Sequence, residues 1–181
     1  MRWLWIDRFT EFVSGSHACS IKSVTLTEEQ IDDYFRAYPI LSPSFVLEGF
    51  AQTGGLLVSE QNDFQKRVVL AKISKARFHL AVRPGDTLSY RVNLETMQKD
   101  GGLVACTSHV GDRLHCEAEL TFAIVSDEVT KIEFFEPTVF LRMLRIFRLF
   151  DVAVDQQGNR ILPPKHLADV EAKVLGVSNE S

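Results

Sequence analysis

Residues 33–55, DYFRAYPILSPSFVLEGFAQTGG, decide the fold. Ser42–Pro43 opens a helix. Serine caps it, and proline takes the first helical position, where its missing N–H costs nothing. From Pro43 to about Ser59 the chain is apolar on nearly every side, with Phe45, Val46, Leu47, Phe50, Ala51, Leu56, Leu57 and Val58. A helix apolar all round is a buried helix. Gly49, Gly54 and Gly55 weaken it by about 1 kcal/mol each in propensity, so close packing against a surrounding sheet is expected to offset them.

Working outward, the pattern on both sides is β. Upstream, ACSIKSVTL (18–26) alternates as a strand, and TEEQ (27–30) is a capping-box pattern that opens a short helix. Residues 34–41 read as irregular. Downstream, RVVLAKISKARFHLAV (67–82) ends at the turn RPGD. TLSYRVNLETM (87–97) places Leu88, Tyr90, Val92 and Leu94 on one face. LVACTSHV and RLHCEAELTFAIV flank Gly111–Asp112, a tight hairpin. In the last strand Leu114, Cys116, Ala118, Leu120, Phe122 and Ile124 are expected to face in, with His115, Glu117 and Glu119 facing out. One buried helix among long antiparallel strands makes an α+β domain.

Past Val125 the character changes. PTVFLRMLRIFRLF (137–150) reads as a cationic amphipathic helix, with Phe140, Met143, Leu144, Phe147 and Phe150 on one side and Arg142, Arg145 and Arg148 opposite. A short helix is expected near 166–175 and a loose tail beyond Val177. The chain therefore divides into a domain over 1–126 and a C-terminal extension over 127–181.

Bulk properties exclude several function classes. A net charge of −4 over 181 residues leaves no electrostatic footprint for nucleic acid. No run approaches the roughly 18 apolar residues of a membrane span, and MRWLWIDRF carries too short an apolar run for a signal peptide. Cys19, Cys106 and Cys116 are odd in number and lack C-x-x-C spacing. They are expected to be packed apolar groups in a reducing, cytoplasmic compartment. Neither they nor the histidines suggest a metal, and no organic cofactor is implied. His109 and His115 are read as solvated beside their hairpin, and His17 as a strand-surface residue.

These residues carry a resemblance. IDRFTEF near the start, VLEGFAQTGG in the helix, ISKARFHLAVRPGD in the sheet and CEAELTF in the last strand together resemble the hotdog-fold 3-hydroxyacyl-(acyl carrier protein) dehydratases, over about two thirds of the chain. The resemblance implies a hotdog fold, a sheet wrapped around the central helix. It also implies an active site shared between two subunits: a histidine removes a proton from C2, a helix carboxylate serves the departing C3 hydroxyl, and a backbone N–H holds the thioester carbonyl. In an ungapped match, Glu48 falls on the carboxylate and Gln52 on its companion glutamine, and Phe35 and Pro39 also match. Tyr34 falls on the histidine, and Pro43 on the glycine that supplies the oxyanion N–H.

Both departures have physical weight. A tyrosine, with pKa near 10, is mostly protonated at neutral pH where a histidine would serve as base. Losing a positioned base costs roughly 10²–10⁴ in rate, and losing an oxyanion donor about 10²–10³. The next N–H groups, of Ser44 and Phe45, are expected to point out of the helix start and retain anion affinity. Glu48 is either a proton-handling carboxyl or a relic held in a hydrogen-bond network with Gln52. Tyr34 either polarises a carbonyl or plugs the vacated space. The catalytic candidates are Glu48 and Tyr34; the substrate-binding candidates are Phe35, Pro39, Pro43, Ser44, Phe45 and Gln52.

Three functions stay open: a dehydratase-like protein acting on acyl-thioesters of acyl carrier protein or coenzyme A, a thioesterase using Glu48 to activate water, and a non-catalytic acyl-binding protein. A homodimer or larger assembly is expected, or a heterodimer with a histidine-bearing dehydratase. The added helix is expected to pack its apolar side on the hotdog body with the arginine stripe as a solvated face, an acidic carrier protein or a membrane surface being the alternative partners.

Overall fold

The computed structural model describes residues 4–28, 31, 38–125 and 136–175. Seven strands form one sheet: β1 (Arg8–Val13), β2 (His17–Ser23), β3 (Arg67–Phe78), β4 (Thr87–Gln98), β5 (Gly101–Val110), β6 (Arg113–Val125) and β7 (Ala153–Val154). Their order is β3-β6-β5-β4-β2-β1-β7. Every neighbouring pair is antiparallel except β1 and β7, which run parallel. The central helix α1 (Pro43–Glu60) packs on the sheet from β2 through β6. This is the α+β hotdog arrangement expected from the apolar helix and its flanking strands.

The glycines explain how helix and sheet approach each other. A Cβ on Gly49 would lie 2.5 Å from Cζ and Oη of Tyr90. One on Gly54 would meet Phe122 at 3.1 Å and Val92 at 3.2 Å. Their absence lets the helix seat against β4 and β6, and the packing offsets the propensity cost.

The extension joins the same sheet. Helices α2 (Pro137–Ile146), α3 (Leu149–Val152) and α4 (Lys165–Leu175) flank β7, which pairs with β1. Leu141, Leu144 and Phe147 are buried. The Phe9 N–H donates to the Phe147 carbonyl at 2.8 Å, and the two rings meet edge to face. Among the described residues no helix is long and apolar enough to cross a membrane.

Several local expectations are corrected. β1 was not signalled by alternation, because both Phe9 and Phe12 are fully buried across a register shift at Phe9/Glu11. The expected strand at 18–26 is His17–Ser23. The reciprocal capping contact falls at Thr25, whose N–H donates to Glu28 Oε1 at 3.3 Å. Ser42 occupies the N-cap position, but its hydroxyl pairs with that of Ser44 at 2.8 Å rather than with a helix N–H. The run 137–150 is not one helix: it breaks after Ile146, and Arg148 adopts a left-handed φ of 53°. The arginines do not form one free face, because Arg145 is paired with Glu171 of α4 at 2.8 Å.

His115 is the largest surprise in β6. It is 3% exposed, and its Nδ1 lies 2.9 Å from the Ser108 hydroxyl. The register skips from Ser108↔Cys116 to His109↔Leu114, so His115 is the extra residue of a bulge. A bulge reverses the inward–outward alternation, and that turned a residue expected to face solvent into the core.

The edge strand β3 is exposed along most of its length, with Val69, Leu70 and Ile73 each about 40% exposed.

Candidate functional site

Glu48 and Gln52 lie one turn apart on α1 and share a face. Both are half-buried. The Trp5 backbone N–H donates to Gln52 Oε1 at 2.8 Å. A backbone N–H can only donate, so the amide orientation is set: its nitrogen faces Glu48. Gln52 Nε2 donates to Glu48 Oε1 at 3.0 Å. One carboxylate oxygen is thereby held, and Glu48 lines the cleft. Trp5 is fixed in turn by its ring, which stacks on Phe45 with centroids 3.8 Å apart and planes 4° apart.

The pair opens on a cleft of about 1220 Å³. One wall is the α1 stripe of Glu48, Gln52, Gly55 and Ser59. The others are Val68–Leu70 of β3 and one face of α2, including Phe140, Met143 and Ile146. Lys66, Arg67 and Arg142 give part of the lining a positive charge. An apolar concavity with few, converging polar groups is the usual form of a small-molecule site.

Pro39, Pro43, Ser44 and Phe45 sit at or before the start of α1, outside the lining of the cleft. Pro43 and Ser44 are exposed, and Pro39 is half-buried. The nearby loop is tied to the β3–β4 connection: the Leu41 N–H donates to the Val82 carbonyl at 2.8 Å, and the Arg83 guanidinium lies 4.3 Å over the Tyr38 ring. The Phe45 N–H is not directed outward as expected. It donates to the Ser42 carbonyl at 3.0 Å, as does the Val46 N–H at 3.3 Å. Tyr34 and Phe35 lie outside the described residues.

Two features of the site were missed in the sequence. Trp5 acts on Gln52 across 47 positions of chain, a contact that no local period reveals. The extension's helix was expected to pack its apolar side on the body, and it also builds a wall of the cleft.

His115, Cys106 and Cys116 do not line the cleft. Burial holds His115 neutral, with its pKa lowered to about 4. Burial raises the Cys116 thiol to about 11 and pushes Cys106 up as well, which keeps both unreactive. Among the described residues no group of three or more His, Cys, Asp or Glu side chains could hold a metal ion.

Comparison with known proteins agrees with this architecture. Residues 2–119 match the family described as FabA-like domain. The chain is 33% identical over 124 residues to the 3-hydroxyacyl-(acyl-carrier-protein) dehydratase FabZ of Levilactobacillus brevis, covering 68% of this chain and 84% of that one. It is 39% identical over 122 residues to the FabZ of Chloroflexus aggregans, covering 67% and 85%. Among solved structures, the dehydratase heterocomplex ApeI:P from Xenorhabdus doucetiae superposes with a TM-score of 0.58 at 14% identity, over 78% of this chain and 89% of that one. A hotdog sheet around an apolar helix that carries Glu48 and Gln52, with this match over most of the sheet, makes the chain a member of the FabA-like family, related to the FabZ 3-hydroxyacyl-(acyl-carrier-protein) dehydratases.

Proposed function

We propose that this chain binds 3-hydroxyacyl and 2-enoyl thioesters, carried on acyl carrier protein, and contributes Glu48 to a dehydratase site completed by a second, histidine-bearing subunit. The observation that carries this reading is the Trp5–Gln52–Glu48 relay at the cleft. It fixes one carboxyl oxygen, and the other is assigned to substrate.

The chemistry assigned to Glu48 is proton delivery. A base takes a proton from C2, the C2=C3 bond forms, and the C3–O bond breaks. The oxygen leaves as water with the proton of the Glu48 carboxyl; hydration of the enoyl thioester is the reverse. Gln52 serves by orientation, since its amide nitrogen can only donate and so holds Oε1 as an acceptor. The base is assigned to another subunit because Tyr34 stands where the family histidine is expected, and a phenol is a poor base at neutral pH. The exposed edge of β3 is the place where two such sheets would join. A cytoplasmic setting follows from the substrate class.

The test follows enoyl absorbance and free thiol together, with crotonyl- and dodecenoyl-thioesters as substrates. In the presence of a histidine-bearing dehydratase from the same source, this chain is expected to raise reversible loss of enoyl absorbance, and Glu48→Gln to remove the gain. Thiol release that depends on Glu48 would replace this reading with a thioesterase. Neither signal would leave acyl binding alone.

A further inference from the structure

We infer that the C-terminal extension forms the far half of an acyl-chain channel and that Phe140 sets the length of chain it accepts. This rests on the dehydratase reading only for the position of the reacting end at Glu48.

The floor of the cleft is a stripe on α1 at positions 48, 52, 55 and 59. At 1.5 Å per residue it runs about 16 Å. Between Gln52 and Ser59 it offers no hydrogen-bonding side chain. That suits a hydrocarbon, whereas a peptide would bring backbone groups that must be paired. Apolar side chains of β3 and α2 line the walls and remain open to water: Val69 is 40% exposed, Leu70 39%, Val139 54% and Ile146 37%. Apolar walls left wet beside the Glu48–Gln52 pair suit an apolar ligand, with Lys66, Arg67, Arg142 and His166 as the charged or titratable part of the remaining lining.

The far end is closed by rings. The Phe64 N–H donates to the Ser59 carbonyl at 3.0 Å, which places Phe64 at the Ser59 end of the floor. The Phe140 ring lies 5.9 Å from Phe64, and Phe64 also packs edge to face on Phe150. Phe140 therefore stands at the end opposite Glu48. An extended acyl chain advances about 1.25 Å per carbon, so the floor takes a straight tail of about thirteen carbons. Phe140 lies beyond residues 2–119, so the stop comes from a segment outside the family match.

The experiment measures binding of octanoyl-, dodecanoyl- and palmitoyl-coenzyme A to the full chain by calorimetry. It reads the channel whether or not the chain has catalytic activity. Affinity is expected to rise from octanoyl to dodecanoyl by about fourfold per added methylene, then level off at palmitoyl. Phe140→Ala is expected to move the plateau to palmitoyl, and Phe140→Trp to move it toward octanoyl. Because Phe140 is partly buried, the exposed Ile146 supplies an independent variant: Ile146→Arg is expected to weaken dodecanoyl binding at least tenfold with the fold intact by circular dichroism. Affinity independent of chain length, or a plateau unmoved in both Phe140 variants, would overturn the inference. So would an Ile146→Arg protein that changes oligomeric state by light scattering but keeps the wild-type chain-length profile. That result would make the face an interface between copies. Chain-length-dependent binding without any gain in enoyl hydration beside the histidine-bearing subunit would keep the channel and remove the dehydratase reading.

Discussion

At the scale of single residues, two buried groups test whether the packing has been read correctly. Tyr90 is 1% exposed, and its hydroxyl has no hydrogen-bond partner among the described residues. Burial raises its pKa, so the phenol stays protonated and the unmet O–H carries a desolvation cost. Tyr90→Phe is expected to raise stability by about 1 kcal/mol, read as a melting temperature higher by about 2–4 °C. His115 works the other way. Its folded pKa of about 4 is below the usual 6.5 because burial disfavours the charged imidazole. The unfolded chain takes up the proton first. The contribution is full above about pH 6.5 and is lost as pH falls toward 4, by roughly 3 kcal/mol over that window. Urea unfolding at several pH values is expected to show this slope, and His115→Gln to flatten it.

At the scale of elements, the central helix was legible in the sequence because every signal there agreed: Pro at its start, apolar residues on all sides, and glycines that make sense only under a sheet. Gly49→Ala is expected to cost about 1–3 kcal/mol, since the new methyl would meet the Tyr90 ring at 2.5 Å. Chemical denaturation measures this directly. β6 was legible from Cys116 to Phe122, where alternation matches burial, and misread at His115, where a bulge breaks the period. Position-by-position pattern cannot see a bulge, because the extra residue is defined by the partner strand. β1 was hidden for the same reason. The Glu48–Gln52 pair was legible because i, i+4 spacing is local. The Trp5 contact that orients it and the α2 wall opposite it were not, since each depends on how distant segments fold together.

For the whole molecule, the exposed β3 edge and the cleft beside it mark the side where the structure is incomplete on its own. Ile73 is 41% exposed on that edge. The chain is expected to form a dimer or larger assembly in light scattering, and Ile73→Lys to shift it toward monomer, since a charge on an edge strand opposes pairing. The extension is part of the same body: β7 pairs with β1, and α2 lines the cleft. The helix that presents Glu48, the N-terminal segment that orients Gln52 and the extension that walls the apolar space converge on one site. The proposed function takes the base from another chain.

That assignment is tested most directly by complementation. A histidine-bearing dehydratase subunit from the same source, with its own helix carboxylate changed to the amide, would be mixed with this chain, and enoyl-thioester hydration followed. The account predicts that the wild-type chain restores hydration at least a hundredfold above the crippled subunit alone, and that Glu48→Gln does not. Equal rates with the wild-type and Glu48→Gln chains would contradict it.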